Sequence, residues 1–339
     1  MDTRILVTLG PSSMKGEIIG AIAEQSVHLF RINMSHTAIE SLERVITEIK
    51  KHTDVPICLD SEGAQIRNGA MKNGVVTFQE GETVKIHRSE IEGDSNNISF
   101  YPPYVWKDLR VGDVIRIDFD SVCVRVIEKN REYHLAHVET GGLVGSRKAV
   151  NVNREMELEP ISEKDRQAIA IGRDMGIRNF ALSFANSKND VELMGGLVGP
   201  ESSIISKIES RRGLLNLNEI MEASDAILID RGDLSREVHI THIPFLQRKI
   251  ISAARSRETP VYVATNLLES MVTTRTPTRA EVNDVVSTLL MGADGLVLAA
   301  ETAVGRFPVE SVAMIRDVIE RVRMWKSDLT IEEILQIWS

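Results

Sequence analysis

Cysteine is scarce, with only Cys58 and Cys123 in 339 residues. Neither belongs to a CxxC pair or adjoins a histidine cluster, which argues against a thiolate metal site. Both lie in apolar, strand-like stretches, so two buried free thiols are expected rather than a disulfide. Long apolar runs are also missing, and none approaches the ~18–20 residues that cross a bilayer. The opening "MDTRILVTLGPSS" lacks the basic start and apolar core of a signal peptide, so a cytoplasmic chain with no membrane partner is expected. No block of five or six like charges occurs, and the formal net charge is −9, a balance that argues against nucleic acid as a partner. Proline and glycine are not in excess, and no repeat or low-complexity tract interrupts the chain, so it should fold throughout.

Short apolar runs recur with helical patterns between them: "ILVTLG" (5–10), "VHLFRIN" (27–33), "VPICLD" (55–60), "NFALSF" (179–184), "SIISKIE" (203–209), "AILID" (226–230), "PVYVAT" (260–265) and "GLVLAAE" (295–301). Runs apolar on both faces suit parallel strands covered by helices, and eight of them in alternation predict an α/β fold, a (β/α)8 TIM barrel. "SEKD" (162–165) and "TRAE" (278–281) each set a capping hydroxyl three residues before a carboxylate, a helix-start signal. The segment "IESLERVITEIKK" carries Ile39, Leu42, Val45, Ile46 and Ile49 at helical spacing. Residues 70–152 read differently, as glycine-punctuated β segments without helical period. The expected organisation is barrel over 1–69, an inserted small β-barrel lid domain over 70–152, barrel again over 153–325, and a helical tail over 326–339.

The C-terminal ends of barrel strands carry chemistry, and here polar groups converge on them. Arg31, Asn33 and Ser35 follow the second run, Asp60 ends the third, Ser183 lies near the end of the fourth, and Lys207 with Glu209 ends the fifth. Asp230, Arg231 and Asp233 follow the sixth, Thr265 ends the seventh, and Glu301 with Thr302 ends the eighth. Any one of these taken alone reads as a satisfied polar group; their convergence on one rim points to a site. Lys207 and Glu209 stand two residues apart and so on one face of a strand. Glu209 and Asp233 are the few oxygen donors that Mg2+ prefers, and Lys207 is a compact cation suited to a transferring phosphoryl group or an enolate oxygen. "DRGDLSRE" (230–237) places a glycine where a helix opens, with N–H groups available to a carboxylate or phosphate.

In order along nearly the whole chain, "TRILVTLGPSS", "FRINMSH", "LDSEGAQIRNG", "SRKAVNV", "SEKD", "IISKIES", "IDRGDL", "VATNLLESMVTTRTPTRAEVNDVV" and "GADGLVLAAETAVGRFPVESV" resemble the motifs of the pyruvate kinase family. The resemblance implies a barrel with an inserted β lid and Mg2+- or Mn2+-dependent phosphoryl transfer between phosphoenolpyruvate and ADP, giving pyruvate and ATP. It makes Lys207, Arg31 and Thr265 catalytic, with Arg231, Gly232 and Asp233 seating the substrate carboxylate. It gives Glu209 and Asp233 the divalent metal, and Asn33, Ser35, Asp60 and Ser61 a monovalent K+. Asn33, His36, Arg67 and Lys148 match positions on the nucleotide side.

The chain departs from the family at several of these motifs. Glu62 replaces a lysine, Gln65 stands where the family's K+ dependence is set, and Val304 replaces a lysine after "ETA". Ser235 and Arg236 follow "GDL", and Ala149 with "NVNRE" alters the lid hinge. These changes favour, as alternatives, a specialised enzyme using phosphoenolpyruvate or the pyruvate enolate with another acceptor, or a non-catalytic ligand-binding homologue. No counterpart of the family's C-terminal domain follows the barrel, so allosteric sugar-phosphate control is not expected. The tail "SDLTIEEILQIWS" offers Leu329, Ile331, Ile334, Leu335, Ile337 and Trp338 as an apolar face, expected to pack back on the barrel. By resemblance, a homo-oligomer would form near "TRTPTRAE".

Overall fold

The computed structural model describes residues 3–118 and 120–337. Each of the eight apolar runs becomes a parallel strand: β1 (Arg4–Thr8), β2 (Leu29–Asn33), β3 (Ile57–Asp60), β4 (Asn179–Leu182), β5 (Ser203–Ile208), β6 (Ala226–Asp230), β7 (Val261–Ala264) and β8 (Gly295–Leu298). They pair in chain order and close when Arg4 registers with Gly295. This is the expected (β/α)8 barrel, and it accounts for sequences apolar on both faces. Leu6, Leu29, Cys58, Ile205, Leu228 and Val297 fill the interior, while their neighbours Val7, Phe30, Leu59, Ile204, Ile229 and Leu296 pack outward under the helices.

A strand's side-chain period of two now fixes the rim. Two residues beyond the interior layer lie Thr8, Arg31, Asp60, Ser183, Lys207 and Asp230, all buried. Thus one alternation makes both the apolar plug and the polar cluster above it.

The helices that cover the barrel begin as their sequences direct. Among them are α1 (Gly16–Ala23), α2 (Ile39–Lys50), α3 (Glu163–Asp174), α4 (Lys188–Val198), α5 (Leu217–Ala223), α6 (Arg231–Glu237), α7 (Ile243–Ser256), α8 (Arg279–Leu290) and α9 (Pro308–Met324); α10 (Ile331–Ile337) follows in the tail. α2 buries Leu42, Ile46 and Ile49, one helical stripe. Capping boxes form at Ser162/Asp165 and Thr278/Glu281. Asp165 does more than cap: its buried carboxylate also accepts from the backbone N–H of Glu62 at 2.7 Å and of Gly63 at 3.2 Å. That fixes the turn after β3. Gly63 is required there, because its φ is +72° and a Cβ would stand 2.4 Å from the Ser183 carbonyl oxygen.

The chain divides into two compact units, residues 1–63 with 160–339 and residues 64–159. The second is a closed barrel of seven strands in the order Tyr133–Thr140, Thr83–His87, Asn97–Tyr101, Ile66–Asn68, Ala149–Val152, Val114–Ile117 and Val122–Lys129. Val75–Phe78 pairs with Gly142–Gly145 beside it. Its core, around Phe100, Trp106, Ile115, Val124 and Val138, is its own.

Two expectations are corrected. Both thiols are free, but only Cys58 is buried; Cys123 is half-buried, because its strand alternates between the small core and solvent. The tail does form a helix, yet Ile331 and Leu335 are 74% and 68% exposed, so its apolar side is not packed on the barrel. A hydrogen-bonded turn from Lys326 to Leu329 separates it from α9. The Ile337 side chain and Trp338 lie outside the described residues. No described helix is long and apolar enough to cross a membrane.

Removing the Asp165 carboxylate strands buried N–H groups, at a cost of ~1–3 kcal/mol for such a group. Asp165→Ala should therefore lower the unfolding free energy by about 3 kcal/mol, read by urea denaturation; an unchanged midpoint would refute the role assigned to this carboxylate.

Candidate active site

At the C-terminal end of the eight-stranded barrel, Asp60 is the hub. Arg31 Nε donates to Asp60 Oδ2 at 2.8 Å and Arg31 Nη2 lies at the same distance. Lys207 Nζ stands 2.8 Å from Glu209 Oε1 and 3.4 Å from Asp60 Oδ1. The same ammonium donates to Ser183 Oγ at 3.0 Å and lies 4.0 Å from Asp230 Oδ2. All of these groups are buried. Ser183 in turn accepts nothing from Ser61 but donates to its carbonyl at 2.7 Å, while the Ser61 hydroxyl accepts from Ser183 N at 3.0 Å.

Backbone held in the left-handed region completes the site. Phe184, at φ +52°, directs its N–H to Glu209 Oε2 at 2.7 Å. Thr265, at φ +74°, donates its hydroxyl to Asp230 Oδ1 at 2.6 Å. Non-glycine residues in this region are strained and persist only where their surroundings hold them. Arg231 supplies that restraint, donating from Nη2 to the Thr265 carbonyl at 2.6 Å while Nη1 pairs with Asp284 at 2.6 Å. Asp230 also caps α6, accepting from Gly232 N at 3.1 Å and Asp233 N at 3.4 Å. Gly232 admits no side chain, since a Cβ would lie 2.7 Å from Thr265 Cγ2.

Burial and pairing compete at every charge here. Burial works against the charged forms of Arg31 and Lys207, but the surrounding carboxylates, Asp60 foremost, outweigh it and hold both above their ordinary values. For Glu209 burial wins: its carboxyl is raised despite Lys207, with Asp233, Asp230 and Asp60 adding to the rise. Burial also acts to raise Asp230, yet Lys207, the Thr265 hydroxyl and Arg31 together hold it below the usual range. Among the described residues, Arg31 Nη1 is a buried donor with no hydrogen-bond partner, and a guanidinium N–H is suited to an anion.

Glu209, Asp230 and Asp233 bring ligand oxygens within 4.8 Å of one another. Oxygen-only donors fit a hard cation such as Mg2+ or Mn2+ and leave no case for a thiolate or imidazole metal. Lys207, Glu209, Arg31, Asp60, Asp233 and Thr265, all singled out from sequence, thus share one network or border it.

Asn33, Ser35 and His36 form the turn after β2, where Asn33 Oδ1 accepts from Ser35 N at 2.9 Å and His36 N donates to the Asn33 carbonyl at 3.1 Å. Arg67 and Lys148 lie in the second unit, Arg67 Nη1 on the Arg147 carbonyl at 2.7 Å and Lys148 Nζ 3.4 Å from Asp118. Glu301 is buried and holds the backbone, accepting from Leu268 N and Ala299 N. Glu62 pairs with Lys164 at 2.9 Å, and Val304 is 57% exposed. The sequence sets Asp230 and Ser183 on the rim without assigning either a role, and the period of two alone places both inside with Lys207.

The family described as "Pyruvate kinase, barrel domain" matches residues 1–312. A pyruvate kinase of Thermotoga maritima is 35% identical over 326 residues, which are 94% of this chain and 70% of that protein. One from Thermococcus litoralis is 32% identical over 340 residues, 96% of this chain and 71% of that one. The crystal structure of a pyruvate kinase from Cryptosporidium parvum, 30% identical, superposes with a TM-score of 0.83 over 96% of this chain and 70% of its own.

Because Glu209 is raised in the folded state, its contribution to stability is present below the ordinary carboxylate range and lost as pH climbs through the raised value. Glu209→Gln mimics the neutral form. The metal-free variant should therefore match the parent near pH 4 and melt a few degrees higher at pH 8, where Mn2+ should raise the Tm of the parent only. Equal melting at both pH values would contradict the direction given for Glu209.

Proposed function

The chain belongs to the pyruvate kinase family, and from that premise we propose that it transfers a phosphoryl group between phosphoenolpyruvate and ADP, with pyruvate and ATP as products. The observation that carries the reading is the buried Lys207, braced by Glu209, Asp60 and Ser183 beside an Arg31 with a donor to spare. Such fixed cations stabilise charge that develops on a phosphoryl group or enolate without reorganising. A bound Mg2+ or Mn2+, held by Glu209 and Asp233, would neutralise phosphoryl and carboxylate oxygens.

Arg31 would bind the phosphoryl oxygens through its unpaired Nη1 while Asp60 keeps the guanidinium in plane. Lys207 would stay protonated throughout, since its pairing favours the cation, and so would act by electrostatics and not as a base. Arg231, Gly232 and Asp233 would orient the substrate carboxylate, and Thr265 would stand over the carbon that gains a proton. Arg67, Lys148, Asn33 and His36 would serve the nucleotide. Asn33, Ser35, Asp60 and Ser61 would hold K+.

A second reading keeps the enolate chemistry but changes the acceptor. It is favoured by Glu62, whose carboxylate already commits Lys164, and by the uncharged, exposed Val304.

An NMR time course of phosphoenolpyruvate with Mg2+, run with and without ADP and in K+ or Na+, separates these. Pyruvate and ATP should appear only with ADP, and Lys207→Met should lose at least ~100-fold in kcat with its fold intact. Phosphoenolpyruvate consumed without ATP, or no turnover with ADP, would overturn the kinase reading and favour the second. A rate indifferent to the monovalent ion would remove the K+ assignment.

A further inference from the structure

Asp230 has a geometry that its place at the end of β6 does not by itself explain. Its two oxygens face different surroundings. Oδ1 is claimed by three donors, the Thr265 hydroxyl at 2.6 Å and the N–H groups of Gly232 and Asp233 at 3.1 and 3.4 Å. Oδ2 is the oxygen nearer Lys207, at 4.0 Å. One side of the carboxylate is therefore locked, which fixes where the other side points.

The remaining space is shared with two further acids. Glu209 and Asp233 place ligand oxygens within 4.8 Å of an Asp230 oxygen. Glu209 is locked in the same way, its Oε2 held by the Phe184 N–H at 2.7 Å. Asp233 is steadied by Arg236 at 2.9 Å. Carboxylates gathered this closely repel one another, and oxygen donors so grouped are what a hard cation takes as ligands. Lys207 does not discharge all three, since it also serves Asp60.

A second observation points to a ligand in this space. Arg31 is 5% exposed and its Nη1 is a buried donor with no partner among the described residues. Asp230 and Glu209 both act on the Arg31 charge, so the unfilled donor and the acceptors share one neighbourhood, as an ion-bridged phosphate requires.

We propose that Asp230 is a third protein ligand of the divalent cation, with Glu209 and Asp233, and that Thr265 is the residue that positions it. This rests on the metal site of the reading above but adds a consequence of its own. Three carboxylates hold a hard cation without help from substrate phosphate, whereas Mg2+ sites with one or two carboxylates borrow it. The cation is then resident before substrate arrives. Thr265, a hydrogen-bond partner of a ligand and not itself a ligand, acts on affinity as outer-shell groups do, by ~10–100-fold.

The test is Mn2+ titration of the full-length, substrate-free protein, with free ion read by electron paramagnetic resonance. Asp230→Asn keeps an oxygen for the same three donors and turns its NH2 toward the cation, so the metal-free fold and Tm should persist while affinity falls at least ~10-fold. Thr265→Val should weaken binding at least ~10-fold, and Thr265→Ser should restore it. If Asp230→Asn binds Mn2+ as the parent does while Glu209→Gln does not, the inference fails and the proposed reaction stands. If neither variant loses Mn2+, the metal site fails, and this inference with it.

Discussion

A guanidinium and an ammonium share one carboxylate, Asp60, inside a protein wall, and the upper half of the barrel is arranged around that fact. Buried charges persist only when paired and hydrogen-bonded. Arg31 comes from β2, Asp60 from β3 and Lys207 from β5, so the pairing cross-links three strands at the end where their backbone ladders stop. Ser183, from the turn after β4, fills the gap between them with its hydroxyl. The apolar layer beneath supplies stability, and the ionic layer supplies a defined arrangement of charge.

That arrangement is reinforced from outside the strands. Phe184 and Thr265 occupy backbone conformations that cost free energy, and each spends its strain on a single hydrogen bond to a buried acid. Arg231 then ties Thr265 to α8 through Asp284. Residues far apart in the chain thus set the orientation of carboxylates whose own strands determine only their height in the barrel.

This division explains what was legible in the sequence. Strand positions, the capping boxes at Ser162 and Thr278, and the facing of Lys207 with Glu209 follow from local periods and spacings. The second small barrel was readable as β structure but not as a particular strand order, since its pairing joins Ile66–Asn68 to Ala149–Val152 across some eighty residues. Asp230 was visible only as one more acid at a strand end, because its meaning lies in Thr265 and the turn of α6. The tail's amphipathic spacing identified a helix but not its neighbours, and for Cys123 an apolar surrounding sequence concealed an alternating strand.

Cys58 lies two residues below Asp60, in the sealed interior layer, and burial together with the Asp60 charge pushes its thiol up to about 12. A protonated, enclosed thiol is inert to alkylating reagents and oxidants. It becomes reactive only when β3 parts from its neighbours, so its labelling rate times the opening of the eight-stranded barrel. Cys123, in the other unit and half-buried, reports on a separate event, and one reagent can follow the two units of this chain independently.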